Sequence, residues 1–291
     1  MKVVGTFAEV RAEQRGAAVG LVPTMGALHA GHRSLLDAAR SSVAHVVASV
    51  FVNPLQFNEA SDLERYPRPF EADLEVCREA GVDVVFHPSV EEMFPRPMRT
   101  TVSVAEVVDR MEGPSRPGHF DGVATVVAKL LAGVQPDRAF FGRKDAQQVA
   151  VIRTMTADLN FPVEIVPCPT VRDRDGLALS SRNVFLSDDE RRRALGLSRG
   201  LLAAADAVGG GELDASRLEI IARAEMSDVD HLEYVELAAQ ADAARLIAID
   251  RPAFLAVAGR VGRTRLIDNV AFDVMDGVVV PDRGIRRDVE S

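Results

Sequence analysis

Along the first 170 residues, short apolar runs alternate with segments of helical period, the order expected when β-α units build a parallel sheet. Residues 19–22 form an apolar run of strand length. The segment 31–41 carries Leu35, Leu36, Ala38 and Ala39 at helical spacing, and 44–52 is a nearly continuous β-branched stretch, which predicts a strand buried on both faces. The alternation continues with a helix over 69–80, a strand over 82–86, a helix over 121–134, a strand over 137–141, a helix over 145–159 and a strand over 163–166. Residues 95–101 and 113–118 are rich in Pro, Gly and Arg and predict loops.

After Pro169 the pattern changes. Ser187 followed three residues later by Glu190 is a capping-box signature, and the Ala/Leu/Arg helix it opens runs to the glycine stop at Gly209, Gly210 and Gly211. A second helix is predicted over 215–226. Three alternating stretches at 231–237, 253–261 and 265–274 follow without long helices between them, which predicts an antiparallel sheet. The expected architecture is therefore α/β: a Rossmann-like doubly wound parallel sheet over 1–170, then a smaller C-terminal α+β domain over 171–276. Residues 277–291 hold Pro281, Gly284 and mixed charges without periodicity, and predict a loose tail.

Composition narrows the function. Apolar residues make up 47% and charged residues 26%, enough to bury a core, and no run approaches a membrane span or a secretion leader, so a soluble cytoplasmic protein is expected, with no membrane partner. Acidic residues exceed basic ones by 43 to 34, a net charge of -9, so the molecule as a whole does not attract nucleic acid. Any phosphate site must be a local cluster of cations and backbone donors. Cys77 and Cys168 stand far apart with no partner at ligand spacing, which excludes zinc-ribbon and CxxC redox chemistry.

The informative segment is Pro23, Thr24, Met25, Gly26, Ala27, Leu28, His29, Ala30, Gly31, His32, between the first predicted strand of the β-α series and its helix. In a doubly wound sheet this junction binds anions, because the helix N-terminus offers unpaired N–H groups. Gly26 and Gly31 permit a tight turn, and two imidazoles three positions apart can each donate a ring N–H to one polyphosphate. A turn bearing two solvated histidines is the plain alternative. A metal site is disfavoured because the helical Glu of HExxH is missing.

This decapeptide resembles the signature of the pantothenate synthetase (pantoate–β-alanine ligase) family, in the nucleotidylyl transferase superfamily that carries HxGH. The resemblance extends through Phe51, Val52, Asn53, Pro54, Leu55, Gln56, Phe57; Arg65, Tyr66, Pro67, Arg68; Gly113, Pro114, Ser115, Arg116, Pro117, Gly118, His119, Phe120; Phe141, Gly142, Arg143, Lys144, Asp145; and Leu177, Ala178, Leu179, Ser180, Ser181, Arg182, Asn183. Matches run from about residue 19 to residue 275. It implies ATP-dependent joining of pantoate to β-alanine through a pantoyl adenylate, with release of pyrophosphate and AMP, in a homodimer formed through the N-terminal domain.

The roles it implies fit the chemistry. A carboxylate attacking the α-phosphorus of an anionic triphosphate meets charge repulsion that placed cations remove. His29, His32, Lys144 and Arg182 are the implied catalytic set, with Lys144 on the α-phosphate and Ser180, Ser181 and Arg182 on the outer phosphates. Gly142 and Asp145 would hold the ribose, and Pro23, Thr24, Met25, Gly26, Val171 and Leu179 would complete the ATP site. Gln56 and Gln148 would bind pantoate, with Asn53 and Met25 lining its pocket. Phe57, Val123, Val126 and Val127 would join Met25 in an apolar wall, and Arg116 and His119 would lie near the β-alanine and phosphate region. Mg2+ is expected with ATP, and Asp73 is the candidate carboxylate to assist it, with Glu71 as the alternative.

Three positions depart from the family pattern, which commonly has Glu at 143, Tyr at 146 and Met at 179; here they are Arg143, Ala146 and Leu179. Arg143 sets a second cation beside Lys144, expected to oppose its ammonium and to add to the phosphate-binding field. Two other functions stay open from the residues: a nucleotidylyl transferase with a phosphorylated acceptor, and a nucleotide sensor that has lost catalysis.

Overall fold

The computed structural model describes residues 1–14, 16–57 and 60–287. The chain divides into two compact units, Met1–Gly142 with Val151–Cys168, and Arg143–Ala150 with Pro169–Ser291.

The first unit is built on strands β1 (Lys2–Val4), β2 (Val19–Thr24), β3 (His45–Val50), β4 (Val84–Phe86), β5 (Arg138–Gly142) and β6 (Glu164–Cys168). They form one sheet in the order β1-β4-β3-β2-β5-β6, with every pairing parallel. Helices α1 (Phe7–Glu13), α2 (Ala30–Ser42), α3 (Phe70–Glu79) and α4 (His119–Val134) belong to this unit, and α5 (Ala146–Asp158) enters it from the second. Leu36 and Ala39 of α2 pack with Val22, Val46, Ala48, Val85 and Phe140 from the sheet. From β2 the chain proceeds through β3 and β4 to one side, and from β5 to β6 on the other. The order therefore reverses between β2 and β5, and the loop after β2 opens at that switch point, where ligands bind in doubly wound folds.

Cys77, on α3, lies in this core at 0% exposure. Burial, assisted by the charge of Asp73, pushes its thiol up to about 11. Because the raised value favours the neutral thiol, it should resist iodoacetamide at pH 8 in the native protein and react once the protein is unfolded in urea, which mass spectrometry of the two states would read.

In the second unit, β7 (Val171–Arg172) is followed by α6 (Asp188–Gly209) and α7 (Ala215–Ala224), then β8 (His231–Ala239), β9 (Ala253–Val261), β10 (Thr264–Met275), β11 (Val278–Asp282) and β12 (Ile285–Arg286). Strands β8 to β11 form an antiparallel sheet in the order β11-β10-β9-β8. Leu197 and Leu201 of α6 and Leu218 of α7 bury against Leu237, Leu255, Val257 and Phe272. The predicted capping box is present: Glu190 N donates to Ser187 Oγ at 3.3 Å and Ser187 N to Glu190 Oε2 at 2.9 Å.

One buried ion pair ties this unit together. Arg172 is 1% exposed and Asp268 4%, and the guanidinium meets both carboxylate oxygens, at 2.6 and 3.1 Å. Arg172 also donates to the carbonyls of Asn269 at 3.0 Å and Arg283 at 2.8 Å. Burial opposes its charge, yet the Asp268 carboxylate, together with the charge of Asp282, more than offsets this and holds the guanidinium above its ordinary value.

Two expectations are corrected. Residues 277–287 are not a loose tail: β11 pairs antiparallel with β10, and Ile285 and Arg286 pair parallel with Val171 and Arg172. The missed signal was Asp276 and Gly277, both in the left-handed region at φ 51° and 78°, followed by three valines, a two-residue hairpin turn. Residues 288–291 of that predicted tail lie outside the described residues. The 113–118 stretch is not all loop, since Glu112–Ser115 forms one short helical turn and α4 already begins at His119, behind Gly118 at φ 75°.

Candidate active site

In the first unit the loop after β2 is organised from within and from beneath. Thr24, at the end of β2, donates its hydroxyl to Ser49 O at 2.8 Å and accepts from Gly26 N at 3.2 Å. Gly26 and Ala27 then adopt left-handed φ values of 81° and 52°. Asp73, 2% exposed, accepts from Ala27 N at 3.0 Å on one oxygen and from Leu28 N at 2.7 Å on the other. A side chain at 26 would carry its Cβ to 2.8 Å from Asp73 Oδ2, so glycine serves both the turn and the approach. Pro23 and Met25 are half-buried in the same segment.

The two histidines cap α2. His29 is its N-cap and accepts the Gly31 N–H on Nδ1 at 3.1 Å, while His32 Nδ1 accepts the His29 N–H at 3.3 Å, a reciprocal box made of imidazoles. The rings lie 4.2 Å apart at 38°. With Nδ1 the acceptor in both, a neutral ring has its proton on Nε2, at the ring edge opposite the cap bond. Gly31 makes this possible: a Cβ there would sit 2.8 Å from His29 Cε1.

Beyond β3, Asn53 caps a short turn, Pro54–Gln56, by accepting from Leu55 N at 3.0 Å. Its Nδ2 donates to Gly122 O at 3.1 Å and to Gln56 Oε1 at 3.0 Å. These partners fix which way the Asn53 amide faces, and Asn53 in turn holds the Gln56 amide by its oxygen. Asn53, 2% exposed, thus sets Gln56 rather than lining a pocket itself. His119 is likewise buried, at 5% exposure, with Nδ1 3.0 Å from Gln56 O, so it braces the same turn. Val123, Val126 and Val127 are core residues of α4, Phe57 packs edge-on against Tyr66, and Arg116 ends the Glu112–Ser115 turn. Gly142 closes β5.

Asp73 does not fit a metal. Both of its oxygens are engaged by backbone amides, Glu71 is exposed in the first turn of α3, and the described residues contain no group of three or more His, Cys, Asp or Glu that could hold an ion. Its task is to fold the loop. Asp73→Asn leaves one acceptor for two N–H groups and should lower the unfolding free energy by about 1–3 kcal/mol. Urea titration reads this as an earlier midpoint at constant slope; an unshifted midpoint would deny Asp73 the anchoring role.

The second unit holds the other predicted residues. Lys144 lies on a 3-10 turn, Arg143–Asp145, with a side chain 19% exposed and its Nζ 4.0 Å from Asp145 Oδ2. Gln148 follows on α5, half-buried. Leu179 N donates to Val171 O at 2.9 Å, which brings those two together. Ser180 caps the 3-10 turn Ser181–Phe185 by accepting from Arg182 N at 3.3 Å, and Ser181 and Arg182 are exposed on it. Arg143 adds no free cation beside Lys144, because it forms ion pairs with Asp273 at 2.8 Å and Asp282 at 2.9 Å. Sequence reasoning missed Asp273, Asp282 and Asn269 altogether; they lie more than 120 positions from the turn they contact.

A doubly wound parallel sheet whose switch point opens on the N-terminus of an HxGH-capped helix defines a Rossmann-like α/β protein with an anion-binding junction. The model of the family described as pantoate-beta-alanine ligase matches residues 2–271, and the chain belongs to that family, whose members are enzymes of the ligase type. It is 47% identical to a pantothenate synthetase of Caldicellulosiruptor saccharolyticus, over 94% of this chain and 100% of that one. It is 51% identical to pantothenate synthetase 1 of Bradyrhizobium diazoefficiens, over 93% and 98%. Among solved structures, the pantothenate synthetase of Thermus thermophilus superposes with a TM-score of 0.86 at 47% identity, over 92% of this chain and 98% of that one. A pantoate-beta-alanine ligase of Francisella tularensis, solved with β,γ-ATP and β-alanine, gives 0.72 at 33% identity, over 92% and 97%.

Proposed function

We propose that this enzyme condenses pantoate with β-alanine at the expense of ATP. The pantoate carboxylate attacks the α-phosphorus, giving pantoyl adenylate and pyrophosphate; the β-alanine amine then attacks the acyl carbon and AMP leaves with the C–O bond electrons. The observation that carries this reading is the imidazole cap of α2. It sets two imidazoles side by side at the switch point with Nδ1 turned to the helix end, so that the opposite ring edge is the one suited to the oxygens of a triphosphate.

Pro23, Thr24, Met25 and Gly26 give the ATP site its floor in this reading, with Gly142 and Asp145 at the ribose and Val171 and Leu179 at the base. Lys144 meets the α-phosphate, and Ser180, Ser181 and Arg182 meet the pyrophosphate that leaves. Gln56, set by Asn53 and His119, and Gln148 donate to pantoate. Neutral amides suit this task, because a paired guanidinium would stabilise the ground-state carboxylate and blunt its attack. Arg116 faces β-alanine. Mg2+ bound together with ATP would supply neutralisation of phosphate charge, and no protein carboxylate is assigned to it. A cytoplasmic homodimer joined through the first unit belongs to the same proposal; no helix among the described residues is long and apolar enough to cross a membrane.

Exchange of labelled pyrophosphate into ATP tests it. Exchange should require pantoate and proceed without β-alanine. Exchange supported instead by a phosphorylated acceptor would favour a transferase, and tight ATP binding without exchange would favour a sensor.

A further inference from the structure

A hairpin of its own unit grips the Arg143–Asp145 turn. Asn269, on β10 and 3% exposed, donates both Nδ2 hydrogens, one to Arg143 O and one to Lys144 O, each at 2.8 Å. Those carbonyls belong to the two peptide planes that flank the Lys144 Cα, so one amide restrains both its φ and its ψ. Asn269 is itself fixed: its N–H donates to Asp268 Oδ1 at 2.7 Å, and its carbonyl accepts from Arg172.

The second grip is electrostatic. Arg143 forks onto Asp273 at 2.8 and 3.2 Å and reaches Asp282, on β11, at 2.9 Å. Gln240 Nε2 steadies Asp273 at 3.0 Å, and Asp282 accepts from Gly284 N at 3.0 Å. The glutamate that the family pattern leads one to expect at 143 would face two carboxylates here. Arg143, Asp273 and Asp282 therefore form a matched set.

We propose that the β10-β11 hairpin positions the Lys144 ammonium, with Asn269, Asp273 and Asp282 as positioning residues that act through the turn's carbonyls and Arg143. This rests on the reading above that gives Lys144 the α-phosphate. Such residues contribute orientation and touch no reacting atom, and misplacement by about 1 Å costs on the order of 100-fold in rate. A hairpin that merely stabilised the fold would leave the kinetics of folded molecules unchanged.

A double-mutant cycle separates the two. In the full-length enzyme, Asn269→Ala and the pair Asp273→Asn/Asp282→Asn should each lower kcat for pantoate-dependent pyrophosphate exchange by about 10- to 100-fold, with KM for pantoate held within about twofold. In a Lys144→Ala background the same changes should cost no more than about twofold, because the group they position is gone. Where a variant fails to unfold cooperatively on heating, Arg143→Lys carries the test: it keeps a cation between the aspartates, loses the fork, and should lower kcat by about 10-fold in the wild-type background alone. Equal losses in both backgrounds, or no loss in either, would overturn the proposal. Wild-type exchange that survives Lys144→Ala undiminished would remove the role of Lys144 and the proposal with it, whereas exchange that collapses in Lys144→Ala but ignores the hairpin variants would leave that role standing and reject only the positioning device.

Discussion

Replacing Lys144 by Ala should cut pantoate-dependent pyrophosphate exchange by about 100- to 1,000-fold, the usual loss when one preorganised charge donor is taken from a developing anion. That is about 3–4 kcal/mol of transition-state stabilisation. The fold should tolerate the change, since Lys144 pairs with Asp145 only at 4.0 Å, with half of the Asp145 side chain exposed, and such pairs contribute little. Pantoate KM should stay within about twofold, because Lys144 is assigned to the phosphate and not to the acid. Steady-state exchange kinetics over a pantoate series make the distinction. Parallel losses in rate and pantoate affinity would mean that the lysine binds substrate rather than stabilising phosphoryl transfer.

The largest stability effect is expected at Asp268. Asp268→Ala strands a guanidinium that is 1% exposed and should cost about 3–5 kcal/mol, read from chemical denaturation. Replacing both partners, Arg172→Met with Asp268→Leu, should recover much of that loss, since the penalty comes from an unpaired buried charge. The recovery has a limit, because Arg172 also satisfies the carbonyls of Asn269 and Arg283. A single variant as stable as wild type would show that the site admits water or relaxes around the charge.

What could be read from the chain was what neighbouring residues encode. The β-branched run leading to β3, the helical spacing of Leu35, Leu36 and Ala39, and the Ser187/Glu190 box each depend on residues within one element, and each has its structural counterpart. The HxGH loop could be placed at a strand-to-helix junction for the same reason. Its internal logic could not: that Asp73 would reach Ala27 and Leu28 from 45 positions away depends on how α3 packs. Arg143 stood out only as a departure, and its partners 130 and 139 positions along come from hairpin register that no local pattern records. The misjudged stretch after residue 276 is different in kind, because its Asp-Gly turn and valines were in plain view and were outweighed by the nearby proline and charges.

The imidazole cap of α2 bears on how any variant at these histidines should be interpreted. Alanine at position 29 removes a ring donor and, in the same stroke, uncaps a 13-residue helix, so lost turnover would confound damage with chemistry. Asparagine closes a helix start nearly as well as any residue while presenting no imidazole. Substituting it at 29 divides the two duties of one side chain, architecture and reactivity, between separate measurements.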